Sequence, residues 1–233
     1  MKYLQKIASP FKDLTAGERF LLTGSAAAII LSFLLSGGGS FLETAAALIG
    51  STALVFVSKG YVLGQALTVV FALFYGAVSY GFHYYGEMLT YMCMTAPIAA
   101  AAVVSWLRNP YEGTRTVRVA RVTKNAVCLL TALSAAVTAA FCFILKALGN
   151  ANLFFSTLSV FTSFMASGLT FLRSPYYALG YSANDIILIV LWVMASRSDS
   201  SYLPMVCCFA VFLVNDLYGF FNWRRLRDIQ QKD

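Results

Sequence analysis

Residues 177–196 read YALGYSANDIILIVLWVMAS. From Ile186 to Ala195 the stretch is apolar on every side, whereas a strand of a membrane barrel alternates apolar and polar positions over about ten residues. A helix satisfies the backbone of such a run from within, and about 20 residues suffice to cross a bilayer's hydrocarbon. Seven further stretches of this kind follow one another along the chain: Phe20 to Ser36, Phe41 to Ser58, Tyr61 to Tyr80, Met88 to Trp106, Asn125 to Leu148, Leu153 to Leu172 and Tyr202 to Trp223. The chain has 233 residues, 59% hydrophobic and 12% charged, with mean hydropathy +0.72. A soluble domain is nearer 45 to 50% apolar and about a quarter charged. The longest polar interval, Leu107 to Lys124, falls far short of the roughly 50 residues of a separate soluble domain. An appended ATPase, kinase or DNA-binding module is thereby excluded, and the expected fold is an all-α integral membrane protein of about eight spans.

The formal charge of +7 reports orientation. With a cytoplasmic N-terminus and eight spans, 15 of the 17 basic residues fall on one side, and only Lys146 and Arg197 fall on the other. Both termini are then cytoplasmic. The cluster from Arg108 to Lys124 suits anionic lipid, but no groove-reading module accompanies it, so nucleic acid is not an expected partner. The first span, preceded by basic residues and followed by Ser36, Gly37, Gly38, Gly39 and Ser40, invites comparison with a secretory signal. Asp13 and Glu18 interrupt its basic region, a clean small-x-small alanine site is missing, and its removal would break the charge pattern; it is expected to stay as a helix. Cys93, Cys128, Cys142, Cys207 and Cys208 all fall in spans without CxxC spacing, which predicts neither disulfides nor structural zinc.

Spans two to four and six to eight share a spacing. Tyr61-Val62-Leu63-Gly64-Gln65 opens the third span and Tyr177-Ala178-Leu179-Gly180-Tyr181 the seventh, while Trp106 and Trp223, each followed by arginine, close the fourth and eighth. Lys59 and Arg173 precede the two tyrosine motifs in tight turns. Four helices separate the copies, so both enter the membrane the same way round. This predicts two parallel three-helix repeats, 41–106 and 153–223, joined by a basic loop and linker helix at 107–152. An N-terminal segment with an extra helix at 1–40 and a basic tail at 224–233 complete the chain. Such parallel repeats are an architecture of transporters with a site between the repeats near the midplane. Trp106 and Trp223 are expected as interfacial belt residues.

Ionisable groups at membrane depth are disfavoured and normally face the bundle interior. Asn184 and Asp185 in the seventh span and Asn215 and Asp216 in the eighth form a repeated Asn-Asp pair. Such groups can bond sugar hydroxyls, and the amide can also donate to a carboxamide. Alternatively the pairs satisfy each other across the helix contact, Asp185 caps a broken helix, or an aspartate couples transport to protons or Na⁺. Aromatic rings that suit a flat or cationic ligand are Tyr75, Tyr80, Tyr177, Tyr181, Trp192 and Tyr218. Gln65 in the first tyrosine motif, Glu43 near the outer end of the second span and Thr157 in the Ser/Thr-rich sixth span complete the candidate substrate-binding set. The lone His83 sits in an outer loop near Tyr84, Tyr85 and Glu87, which speaks against a metal cluster or a histidine-dependent catalyst. HExxH, a serine-nucleophile motif and an Asp-rich phosphotransfer motif are all missing, so neither an enzyme nor a cofactor is expected.

The stretch from Phe41 to Trp106, with Glu43, Tyr61-x-x-Gly64, Tyr75-Gly76 and Tyr85-Gly86-Glu87, resembles the first half of PnuC-type nicotinamide riboside transporters. The stretch from Phe154 to Trp223, with Arg173, Tyr177 to Asn184 and Gly219-x-x-x-Trp223, resembles the second half. The resemblance implies a SWEET-like fold and uptake of a vitamin-like nucleoside across a bacterial inner membrane by facilitated diffusion. It further implies trapping by a separate cytoplasmic kinase. The family carries a Trp-x-x-Trp pair followed by Asn on the helix matching the seventh span; here those positions read Tyr177, Gly180 and Asn184. Thiamine, riboflavin and deoxynucleosides are therefore alternative solutes, and a non-transporting membrane subunit or sensor is a further alternative. A homo-oligomer stays open.

Overall fold

A computed structural model describes residues 10–36, 41–81, 84–150 and 152–232. Lys2, Lys6, His83 and the small residues at 37–40 lie outside them. Among the described residues eight helices are long and apolar enough to cross a membrane: α1 Ala16–Leu35, α2 Phe41–Ser58, α3 Val62–Gly81, α4 Tyr85–Arg108, α5 Lys124–Ala147, α6 Leu153–Phe171, α7 Tyr177–Ser196 and α8 Leu203–Gln230. Their outward residues are large and apolar. Phe20, Leu35, Phe41 and Phe143 are between 77% and 89% exposed, which suits lipid and not water.

Contacts close six of these helices into a ring in the order α2, α3, α4, α6, α7, α8 and back to α2. The central helices of the two halves, α3 and α7, stand on opposite sides of the ring. Two seams join the halves, α2 with α8 and α4 with α6; α1 braces the first, and α5 lies against α6 and the start of α4. The brace at α5 is light, because Leu130, Ser134 and Leu145 are its buried residues.

The turns repeat with the helices. Gly60 (φ +69°) and Arg173 (φ +58°) take the left-handed conformation in the α2–α3 and α6–α7 turns. Gly60 N donates to Val57 O and Tyr61 N to Phe56 O, matched in the second turn by Arg173 N to Thr170 O and Ser174 N to Leu169 O, at a constant offset of 113 residues. These are helix-ending bonds of the Schellman type. The structural equivalent of Arg173 is thus Gly60, one residue past the Lys59 marked in the sequence. The loop after α4 crosses both turns, with Val117 N on Gly60 O and Ala120 N on Arg173 O. At the same face Arg115 and Tyr61 both meet the Asp13 carboxylate, at 2.8 and 3.4 Å. Burial, and then the Asp13 charge, push the Tyr61 hydroxyl up to about 12.

Three sequence expectations change. Trp106 and Trp223 are 1% and 0% exposed, so they are not belt residues: each indole donates across a seam, Trp106 to Thr170 O at 3.0 Å and Trp223 to Val57 O at 2.8 Å. The residues from Arg224 onward continue α8 to Gln230, where the Gln230 side chain bonds Val117 O and Val119 N of the loop. Glu87, expected beside an outer loop, is buried in the first turn of α4 and accepts a bond from Ser159 of α6 at 3.0 Å.

Candidate functional site

A cavity of about 40 Å³ lies at the centre of the ring. Its wall draws on α2, α3, α4, α7 and α8. Helix α3 brings Gln65 and Thr68, and α7 brings Tyr181 and Asn184 at the same two register positions, 116 residues on. The offset that relates the two tyrosine motifs therefore pairs two polar positions from each half across one space. Asp185 and Asp216 both line the adjoining wall.

Helix α4 reaches the cavity because its coil widens. Thr90–Thr95 forms a π-helical turn just ahead of Pro97, whose missing N–H cannot serve the preceding turn. Tyr91 and Thr95, both on this segment, line the cavity.

Aromatic layers close the space on both sides. Toward the basic face, Tyr181 meets Tyr177 edge-on at 6.2 Å, Tyr177 meets Trp223 at 5.0 Å and Trp223 lies 5.4 Å from Trp106. Toward the other face, Phe71 packs on Tyr75, Tyr91 and Phe212 at 5.4 to 5.7 Å, and Trp192 donates its indole N–H to the Tyr75 hydroxyl at 3.2 Å. Pockets for drug-sized ligands span about 300–1,000 Å³, so the cavity must widen to take a nucleoside.

Two buried polar atoms of the wall, Thr95 Oγ1 and Asp185 Oδ2, have no hydrogen-bond partner among the described residues. Buried polar groups are paired as a rule, and exceptions ask for a role. Helix α6 orients the rest from behind. Thr162 donates to Asn184 Oδ1 at 3.0 Å, leaving the amide NH₂ as the group Asn184 can offer, and Ser167 bonds the Tyr181 hydroxyl at 3.0 Å.

Of the residues singled out in the sequence, Asn184, Asp185, Tyr181, Asp216 and Gln65 meet at the cavity. Tyr177 and Tyr75 stand one layer back in the two aromatic closures. Asn215 turns outward, one helical step of about 100° from Asp216, and donates to Ser25 of α1 and to Val211 O. Glu43 lies in the first turn of α2 and Thr157 on α6, both outside the lining. Tyr218 donates to Glu18 at the basic end of α8. Thr68, Phe71, Tyr91, Thr95 and Phe212 were not anticipated. The repeat offset applied to Asn184 would have found Thr68, and Pro97 within an apolar span marks the distorted segment that carries Tyr91 and Thr95.

Eight candidate spans, six of them in a ring of two matching halves around a small central cavity, are the build of a multi-pass membrane transporter. Residues 40–225 match the family model described as "Nicotinamide mononucleotide transporter", and the chain belongs to that family. It is 29% identical over 193 residues to the nicotinamide riboside transporter PnuC of Neisseria mucosa, covering 80% of this chain and 73% of that one. With the nicotinamide riboside transporter PnuC of Haemophilus influenzae it shares 26% identity over 189 residues, 80% of each chain. The crystal structure of the vitamin B3 transporter PnuC has the same fold, with TM-score 0.82 at 24% identity over 98% of this chain and 97% of that one. The family and fold are those of a transporter and not of an enzyme.

Proposed function

We propose that this protein carries nicotinamide riboside across a bacterial inner membrane, with both termini in the cytoplasm and the substrate held in the central cavity. The observation that carries the reading is the make-up of the wall: Asp185 and Asp216 line it, and no Lys, Arg or His does among the described residues. Nicotinamide riboside is a cation through its pyridinium ring. Carboxyl oxygens attract that ring and accept from the ribose hydroxyls, aromatic faces stack on it, and the Asn184 amide suits the carboxamide. The mononucleotide adds about −1.5 to −2 charge units at pH 7, for which the described wall offers no cation. The riboside named for the relatives therefore suits this cavity better than the mononucleotide named for the family.

Transport would proceed by the two halves rocking about the site, each aromatic layer opening in turn. Movement then runs down the gradient, and phosphorylation by a separate cytoplasmic kinase retains the product. Thiamine is the second solute this wall favours, because it too carries a flat cationic ring, whereas riboflavin and deoxynucleosides are uncharged. Titration calorimetry on the purified protein, comparing nicotinamide riboside, its mononucleotide, thiamine, riboflavin and deoxynucleosides, tests the reading. Binding of the riboside with none of the mononucleotide is expected; equal binding of the two overturns it.

A further inference from the structure

The basic face holds a second hollow, of about 400 Å³, outside the ring and between the loop after α4, the start of α5 and the end of α8. Arg121 and Arg227 line it, and they also line an adjoining cleft of about 200 Å³ that includes Arg118, so the two form one groove. The groove is built before any ligand arrives. Gln230 clamps the loop through Val119 N and Val117 O, at 2.8 and 3.1 Å, and Ala120 N is held on Arg173 O.

Its charge is only partly balanced. Arg227 pairs with Asp228 at 2.9 Å and Glu112 lies on the rim, but Arg121 has no ion pair or hydrogen bond among the described residues. Arg173, next to Ser174 in the wall, has its Nε–H buried without a partner. Burial, and then the neighbouring Arg118 charge, pull the Arg173 guanidinium below the ordinary arginine range. Much of the remaining wall is apolar, with Val127 of α5, itself exposed, beside Met165 and Leu169 of α6.

We propose that this groove binds the headgroup of an anionic phospholipid, with its phosphate among Arg118, Arg121 and Arg227 and an acyl chain along α5 and α6. A phosphate group explains the guanidinium cluster. The apolar part of the wall, contributed by Val127, Met165 and Leu169 of two membrane-spanning helices, favours a lipid over a soluble phosphate, which has no use for it.

Native mass spectrometry of the full-length protein in detergent, with phosphatidylglycerol and phosphatidylcholine supplied equally, tests the assignment. Phosphatidylglycerol adducts are expected to dominate. Arg121→Gln is expected to weaken them about fivefold, and Arg121→Gln with Arg227→Gln about 25-fold, at about 1 kcal/mol for each cation. Lys146→Gln, the same charge change at the other end of α5, leaves them unchanged, and Arg121→Lys largely preserves them. Equal retention of the two lipids overturns the proposal, as does wild-type binding by the double variant in protein that still melts cooperatively. If millimolar inorganic phosphate raises the melting temperature as much as phosphatidylglycerol does, the site takes soluble phosphate and the lipid assignment falls.

Discussion

The two seams of the ring are built on one plan and pinned at opposite ends. At the basic face both close alike, with an indole N–H on the last carbonyls of the facing helix: Trp223 on Val57 O and Trp106 on Thr170 O. Away from that contact they diverge. The α2/α8 seam carries its buried acid at the basic face, where Glu18 of the bracing α1 takes Lys59 at 2.7 Å and the Tyr218 hydroxyl at 3.2 Å, and its far half is aromatic. The α4/α6 seam carries its acid at the far face, where Glu87 meets Ser159, and Asn150 ties Gly86 N to the Ser156 hydroxyl. Matching backbone bonds therefore coexist with an inverted placement of charge. A rocking motion would have to release different interactions at the two seams.

The shared indole contacts carry the largest expected effect. Trp223→Ala and Trp106→Ala should each destabilise by about 3 to 5 kcal/mol, since each removes a fully packed ring together with its bond to a helix-end carbonyl. Melting can be followed by labelling of buried Cys208 in protein whose other four cysteines are alanine. A loss at one seam more than twice that at the other would break the symmetry argued for them.

The glycines of the two tyrosine motifs come next. A Cβ on Gly64 would lie 2.3 Å from Val57 N and 2.7 Å from Phe56 C, both backbone atoms, while one on Gly180 would lie 3.0 Å from Ala166. Gly64→Ala is expected to cost about 3 kcal/mol and Gly180→Ala about 1 kcal/mol, within the range for overpacked sites. The same melting assay ranks them, and the reverse order would show that the halves tolerate crowding differently from their backbones.

Within the cavity the register pair Asn184 and Thr68 separates by partner. Asn184 offers an amide NH₂ to the centre, whereas the Thr68 hydroxyl already bonds Gly64 O of its own helix at 2.9 Å. Asn184→Ala should weaken riboside binding by about 1 to 3 kcal/mol and Thr68→Ala by under about 0.5 kcal/mol. Calorimetry reads both, and unchanged affinity in folded Asn184→Ala would remove that residue from the site.

These contrasts follow how far the sequence could be read. Helix ends at Phe41, Ser58, Leu153, Tyr177 and Ser196 match the expected spans, because apolar length and flanking charge govern insertion one helix at a time. The facing of side chains depends on partners instead. Asn215 and Asp216 look equivalent in the sequence, yet one helical step turns Asn215 to Ser25 of α1 and Asp216 to the cavity. Trp106 and Trp223 have the composition of a belt, and only a neighbouring helix end draws them inward. Tyr91 entered the site through a π-helical turn, which apolar patterning cannot register.

The smallest effect concerns the two acids that distinguish the seams. Glu18 is an ion-paired carboxylate with Thr15, Lys59 and Tyr218 around it, and Glu18→Gln keeps its shape while leaving the Lys59 ammonium, which is only 12% exposed, with the Asp13 carbonyl and the Tyr61 ring but no charge partner. A loss of about 1 to 2 kcal/mol is expected. Glu87 has one bond, from Ser159, and its Oε2 has no partner among the described residues. Glu87→Gln retains an oxygen for Ser159 and removes a buried acid, so its stability should change by under about 0.5 kcal/mol. If both variants melt alike, the acids are interchangeable packing and the seams differ only in composition. If Glu87→Gln leaves melting intact but slows riboside uptake into proteoliposomes while Glu18→Gln does not, the α4/α6 acid serves the opening of the far face, and the charge inversion between the seams is a feature of transport.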